Sequence, residues 1–317
     1  MTAAQKQQQF RVALCFALVY VFWGSTYLAI KIAVEHIPAA LMGASRFLIS
    51  GPLMLALCAL TGRTVKVSKH DFVRVAAIGI LLLTGGNVLL AWSEKYVDSG
   101  LAALIVAVVP IWVALIEGFI LKGDRLRGRG WLGLVLGIAG LVVLLWPDLR
   151  NTSAERAKLL AAGVLLFGSL SWTIGSIISR RSKLAIGPFA ATGWEMTIAG
   201  AVNMLISVAI GDFHDVVWTP RGVGAILYLV TFGSMVGFTA YIWLLEHVPT
   251  PKVATYAYVN PVVAVFLGWL IAGEQLNWYI GAGMVVIVAA VALVTSSKLK
   301  QAEAPATPQL AACEAEA

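Results

Sequence analysis

The sequence predicts an all-α membrane protein of ten transmembrane helices arranged as two inverted five-helix repeats. Three observations carry that prediction. The 317 residues are 60% hydrophobic and only 12% charged, about half the ~25% charged content of a soluble domain. Apolar runs close to the ~20 residues that a bilayer requires recur along the whole chain. The two halves also match each other at an offset of 151 residues, with the same residue types at the same places in corresponding spans.

Hydropathy places the spans at 12–34, 39–60, 72–93, 101–121, 130–147, 159–179, 189–211, 222–245, 253–272 and 278–296. The first is too long for a signal peptide, lacks a small-residue cleavage site and is followed by nine more spans. Connections are short, so no soluble domain is inserted. The tail QAEAPATPQLAACEAEA, residues 301–317, is Ala/Pro/Glu-rich and predicts a disordered cytoplasmic segment.

Loop charges set the orientation. With the N-terminus taken as cytoplasmic, inside segments carry 16 Lys and Arg and outside segments carry 6, Arg46 within span two completing the 23. Positive loops stay inside, so both termini are predicted to be cytoplasmic. The net charge of +7 is assigned to this bias and not to nucleic acid, because the basic residues lie between apolar spans and share no face. Cys15 and Cys58 fall in spans and Cys313 in the tail, so no disulfide framework is expected.

At the offset of 151, Gly86 meets Gly237, Trp92 meets Trp243, Ala103 meets Ala254, Pro110 meets Pro261 and Gly130 meets Gly281. The early spans echo each other more loosely: Trp23 precedes Pro38 by 15 residues and Trp172 precedes Pro188 by 16. The repeats read as 11–147 and 159–297. An odd number of spans per copy inserts the second copy upside down, and substrate sites in such carriers lie at the repeat interface, beside helices interrupted by Pro or Gly. Pro110 in span four and Pro261 in span nine are the paired interruptions.

The segments FWGSTYLAIKIAV, SRFLISGPLMLAL, GLAALIVAVVPIWVALIEGFIL and YAYVNPVVAVFLGWLIAGEQL together resemble the EamA-type transporters of the drug/metabolite superfamily over residues 11–297. The resemblance implies a ten-helix bundle around a central cavity in the cell inner (plasma) membrane. It implies that helices one, three, four, six, eight and nine line the cavity, while two, five, seven and ten support it. It also implies export of small metabolites, amino-acid-like compounds or drugs. Small four-helix multidrug relatives carry a glutamate in their first helix; none occurs here, which puts proton coupling by that route in doubt.

Candidate cavity residues follow from helical spacing. Tyr20, Trp23, Tyr27 and Lys31 share one face of span one, with Ser25 and Thr26 nearby. Two readings stay open for this face: an aromatic cavity wall, or groove-filling rings with hydroxyls bonded back to their own helix. Lys31 is expected to snorkel to the outer interface. Span three offers Thr84, Asn87 and Ala91; span six Ser169, Trp172 and Ser176; span eight Thr231, Ser234 and Phe238; span nine Tyr256 and Asn260. The expected substrate-contacting set is Trp23, Tyr27, Asn87, Trp172, Ser176, Ser234, Tyr256 and Asn260. Pro261 removes the donor for the Ala257 carbonyl, placing a polar, deformable point beside the Asn260 amide.

Arg46 and Glu195 sit at equivalent places near the starts of spans two and seven and are expected to snorkel or to pair between helices. Glu117, near the inner end of span four, is the candidate for ion coupling. Gly133, Gly137 and Gly140 form a small-residue ridge suited to close packing within the monomer or to a homodimer contact.

Enzymatic classes lack their residues. Gly168-Ser169 and Gly233-Ser234 are present, but all four histidines lie at or beyond span ends, away from any serine they would activate. No HExxH or Walker A motif occurs, so no metal or cofactor is expected. The partners are a small-molecule substrate and the lipid bilayer. An uptake carrier or facilitative uniporter for a sugar or nucleoside remains the alternative to an exporter.

Overall fold

In hydrocarbon each backbone amide must be satisfied within its own segment, and an apolar run does this as a helix. The computed structural model describes residues 3–116, 120, 128–150, 156–248, 253 and 255–302, and among them there is no strand. The helices are α1 (Ala3–Val34), α2 (Ala39–Leu60), α3 (Lys69–Gly79), α4 (Asn87–Ser93), α5 (Ser99–Val106), α6 (Val109–Leu115), α7 (Gly128–Arg150), α8 (Arg156–Arg181) and α9 (Pro188–Ile210). The short α10 (Asp212–Asp215), α11 (Pro220–Tyr228), α12 (Gly237–His247), α13 (Tyr256–Ala272) and α14 (Trp278–Ala302) complete the set. Two π-helices, π1 (Ile80–Gly86) and π2 (Leu229–Val236), join α3 to α4 and α11 to α12.

Among the described residues seven continuous helical stretches are long and apolar enough to cross a membrane, including Gln5–Val34, Lys69–Ser93 and Pro220–His247. Three shorter apolar helices, Ser99–Leu115, Val259–Ala272 and Trp278–Leu293, accompany them. Large apolar side chains such as Leu53, Phe266, Trp269 and Val285 point outward. That suits a lipid-facing surface, where exposure of this kind carries no hydrophobic cost.

Glycines set the closest helix approaches. A Cβ at Gly51 of α2 would stand 2.5 Å from the Thr197 backbone nitrogen of α9, and one at Gly200 of α9 would stand 2.7 Å from the Leu48 nitrogen. The α7–α14 pair meets the same way, with a Cβ at Gly140 lying 2.8 Å from Ile287. The glycine ridge on span five is therefore used inside the monomer. Gly211 and Gly273 end α9 and α13 with φ of 81° and 68°, the left-handed conformation that glycine adopts without a Cβ penalty.

Of the two expected interruptions one is seen. Span four breaks at its proline: α5 ends at Val106 and α6 starts at Val109, because Pro110 has no N–H to continue the ladder. Pro261, by contrast, lies inside the unbroken α13, so the two prolines are not equivalent. Spans three and eight each carry a π-helix, whose extra residue per turn rotates everything beyond it. Glu117 and residues 303–317 of the tail lie outside the described residues, and α14 continues through Ala302, two residues into the predicted disordered segment.

Candidate functional site

A cavity of about 780 Å³ lies between the two halves of the chain. It reaches the end of the bundle where α8 finishes and α9 starts, being lined there by Arg180, Ser182, Leu184 and Pro188. Ile30 and Leu90 form its floor toward the opposite, far end.

Aromatic packing builds one wall. The Trp23 ring of α1 meets Tyr241 at 4.8 Å, Phe238 at 5.1 Å and Tyr256 at 5.3 Å between centroids, the last two edge-on. Edge-to-face contacts of this kind contribute ~0.5–1.5 kcal/mol each beyond area burial. The Trp23 indole donates to the Gly233 carbonyl of π2 at 3.1 Å, and the Ser171 hydroxyl donates to the Leu81 carbonyl of π1 at 2.8 Å. In both cases α1 or α8 supplies a donor to a π-helical carbonyl on the other half of the chain.

Arg46 crosses from α2 into this space. Its Nε donates to Ser234 Oγ at 3.0 Å and its Nη1 to Asn87 Oδ1 at 3.2 Å. It is 4% exposed, and among the described residues no carboxylate forms an ion pair with it. Glu195 of α9, 8% exposed, lines the same cavity. Asn260 is 6% exposed, and its Oδ1 meets no donor among the described residues. A buried guanidinium with only neutral partners and a buried amide oxygen without one are groups that a ligand or water would satisfy.

The structure places Trp23, Tyr27, Asn87, Trp172, Ser176, Tyr256 and Asn260 on the cavity wall, together with Pro110 and Pro261. Ser234 is fully buried and stands behind the wall as an acceptor for Arg46. Thr231 instead faces outward and Ala91 lies in the core, because the π-helices shift the register that regular helical spacing assumes. Ser25 and Thr26 hydroxyls donate to the Phe22 and Trp23 carbonyls, and Tyr20 pairs with the Thr255 hydroxyl at 2.6 Å.

Arg46 pairs between helices as expected, through Ser234 and Asn87; beyond that, both it and Glu195 face the cavity, so spans two and seven contribute to its lining as well as supporting it. Lys31, half-buried, reaches the span-end loop that the predicted topology puts outside. Its ammonium donates to the backbone carbonyls of Glu94 at 2.6 Å and Val97 at 3.0 Å, tying α1 to the loop after α4.

That loop belongs to a polar layer that sequence reasoning missed. Glu274, just after the left-handed Gly273, accepts from the Ser99 N–H at 2.8 Å, the Ser99 hydroxyl at 2.7 Å and the Gly100 N–H at 3.1 Å. It thus caps α5, where a negative charge is favoured by the helix dipole. The available signal was position: Lys31, Glu94 and Glu274 all fall at span ends that the predicted topology puts on one side. None of Lys31, Glu94, Ser99 and Glu274 lines the cavity.

Fold and cavity together define a helical membrane protein with a solute-sized chamber that reaches the α8–α9 end of the bundle. The chain belongs to the EamA-like transporter family, whose pattern matches residues 11–146 and again residues 159–296. It is 37% identical over 284 residues to the uncharacterized inner membrane transporter YedA of Escherichia coli strain K12, covering 89% of this chain and 90% of YedA. It is 23% identical to the uncharacterized transporter YoaV of Bacillus subtilis strain 168, over 87% of this chain and 94% of that one. A solved crystal structure shares the fold with a TM-score of 0.67 at 20% identity, over 92% of this chain and 99% of the other. The protein is a membrane transporter.

Proposed function

We propose that the protein is a secondary active exporter of small amphipathic metabolites, of amino-acid-like compounds or drugs. It works by alternating access between two inverted five-helix halves in the inner membrane, with both termini cytoplasmic. The observation that carries this reading is the cavity itself. Its volume of about 780 Å³ falls in the ~300–1,000 Å³ range of sites that enclose one small ligand. The aromatic wall around Trp23 suits the apolar body of such a compound. Arg46 and Glu195 supply opposite charges for a carboxylate and an ammonium. The open end is the one that the positive loops assign to the cytoplasm, so cytoplasmic solutes reach the site directly.

Untargeted metabolite profiling of an overexpressing strain against a deletion strain tests the proposal. External pools of a few amphipathic compounds should rise and their internal pools fall. Unchanged pools on both sides, with unchanged resistance across a compound panel, would overturn it. Accumulation inside the overexpressing strain would point to the uptake carrier instead.

A further inference from the structure

Beyond the cavity floor sits a carboxyl group that no described residue bonds. Glu94 follows the last residue of the Lys69–Ser93 stretch. It is 0% exposed, and neither Oε1 nor Oε2 meets a hydrogen-bond donor among the described residues. Several donors of that layer are held by other groups. Two of the three Lys31 N–H donors go to the Glu94 and Val97 carbonyls, while the Ser99 and Gly100 N–H groups and the Ser99 hydroxyl are held by Glu274.

An ionised carboxylate in such a place lacks both water and hydrogen bonds, and burial without partners favours the neutral acid. The groups around it are Lys31 and Tyr27 from α1, Glu274 from the end of α13, and Asp98, which itself feels Glu274, Lys31 and Lys158. Burial pushes the Glu94 carboxyl well above its ordinary range, the Lys31 ammonium opposes this, and the negative Glu274 adds to it.

We propose that Glu94 is the coupling-proton site of this transporter: its carboxyl is protonated whenever the far end is closed, and it ionises when that end opens. The inference rests on the alternating-access reading and adds to it the group that ties a proton to a conformational state. On opening, water enters the layer, the O–H bond of Glu94 breaks, and the proton passes to that water. The carboxylate left behind is stabilised by hydration and by the Lys31 ammonium as the contacts to the 94–97 carbonyls loosen. On closing, the carboxyl takes a proton from the same water, because in the closed layer no hydrogen bond from the described residues holds it as a carboxylate. Tyr27 lines the cavity and lies within electrostatic reach of Glu94, so it connects the solute chamber to the proton site.

The test reads conformation and needs no substrate, so it can fail or succeed independently of the metabolite profiling. In full-length protein with Cys15, Cys58 and Cys313 changed to serine, spin labels at His36→Cys and Lys95→Cys report the separation of α1 from the loop after α4. A pH series from about 5 to about 9 should convert a short distance into a growing population of a longer one, since it favours ionisation of the raised carboxyl progressively. Glu94→Gln should show the short distance at every pH. Asp98→Asn should keep the pH response, which separates Glu94 from its more exposed neighbour. A distance that ignores pH overturns the proposal, as does a Glu94→Gln protein that still responds or an Asp98→Asn protein that no longer does. Equal thermal unfolding of native and Glu94→Gln proteins at the acid end, where both side chains are neutral, is the expected mark of an intact fold; a Glu94→Gln protein that unfolds earlier there shows Glu94 to be structural and overturns the proposal as well.

Discussion

Replacing Arg46 by methionine isolates the charge at the centre of the cavity. Methionine keeps much of the apolar stem and removes the guanidinium. Of the five N–H donors of a guanidinium, two are occupied by Ser234 and Asn87, which leaves the others to a ligand. A hydrogen bond to a charged group is worth ~1.5–3 kcal/mol net, so a carboxylate that loses it should bind roughly 10- to 150-fold more weakly. The fold should suffer little, because deleting a desolvated charge with no ionic partner offsets the two bonds it made. The assay is quenching of the cavity tryptophans, Trp23 and Trp172, by a panel of aromatic and aliphatic amino acids and by their amides. The native protein should prefer the acids, and Arg46→Met should bind both forms alike. Arg46→Lys, which keeps the charge but loses the planar fork, should fall between. If the native protein does not distinguish acid from amide, or Arg46→Met still does, Arg46 holds the helices together and does not read the substrate.

Other outcomes follow from the same geometry. Asn260→Leu removes an amide whose oxygen is unpartnered among the described residues and should weaken substrate binding without loss of expression, whereas Pro261→Ala should slow transport more than it weakens binding; wild-type transport in both would make the pair a packing feature. Gly51→Val should fail to assemble, because a side chain there meets the Thr197 backbone, and Gly51→Ala should lower the melting temperature measurably by size-exclusion thermostability. Burial raises the Glu94 carboxyl above its unfolded value, so its contribution to stability is present at low pH and is lost as pH rises through the raised value; Glu94→Gln should flatten that decline in a melting-temperature series. In a cysteine-free background, an impermeant thiol reagent added from outside should label a cysteine near Asp98 and miss one near Arg127, and the reverse pattern would invert the orientation.

Much of the architecture is written in local pattern. The helical stretches follow the apolar runs because a bilayer leaves the backbone no other way to satisfy itself. The stripes on spans one and six, Trp23 with Tyr27 and Trp172 with Ser176, point as simple 3.6-residue spacing says they should. The same spacing misplaces Thr231, since a π-helix is a tertiary adjustment with no hydropathy signature. Charges were harder to read than apolar positions. Hydropathy treats Arg46 and Glu195 as costs to be moved to an edge, whereas their value lies in a cavity that only assembled helices create. Glu94 and Glu274 look alike as acidic residues at span ends, yet one is fully bonded and the other is bare. That difference depends on which helix start each one meets.

The two π-helices bear on how the halves act on each other. Gly86 at the end of π1 is faced by Trp172 of α8, with 3.0 Å between the ring and the place a Cβ would occupy. Gly237, immediately after π2, is faced by the Trp23 indole of α1. The glycines are partners at the offset of 151 residues, and the tryptophans are the looser pair that precedes Pro38 and Pro188. Each half therefore lays its tryptophan on the other half's glycine, an exchange of contacts that the proposed inverted repeat would produce. Arg46 breaks this symmetry, since it reaches Ser234 within π2 and Asn87 just after π1 from one half only. A substrate that engages Arg46 thus pulls on a side chain joined to both π segments at once. Glycine contacts of this kind let the segments slide with little steric resistance, while one asymmetric cation gives the bound ligand a different hold on each half. On this reasoning Gly86→Ala and Gly237→Ala should slow transport by similar factors at unchanged substrate affinity, as measured by counterflow in proteoliposomes. A large effect from one glycine and none from the other would mean that the two π segments do not move as a pair.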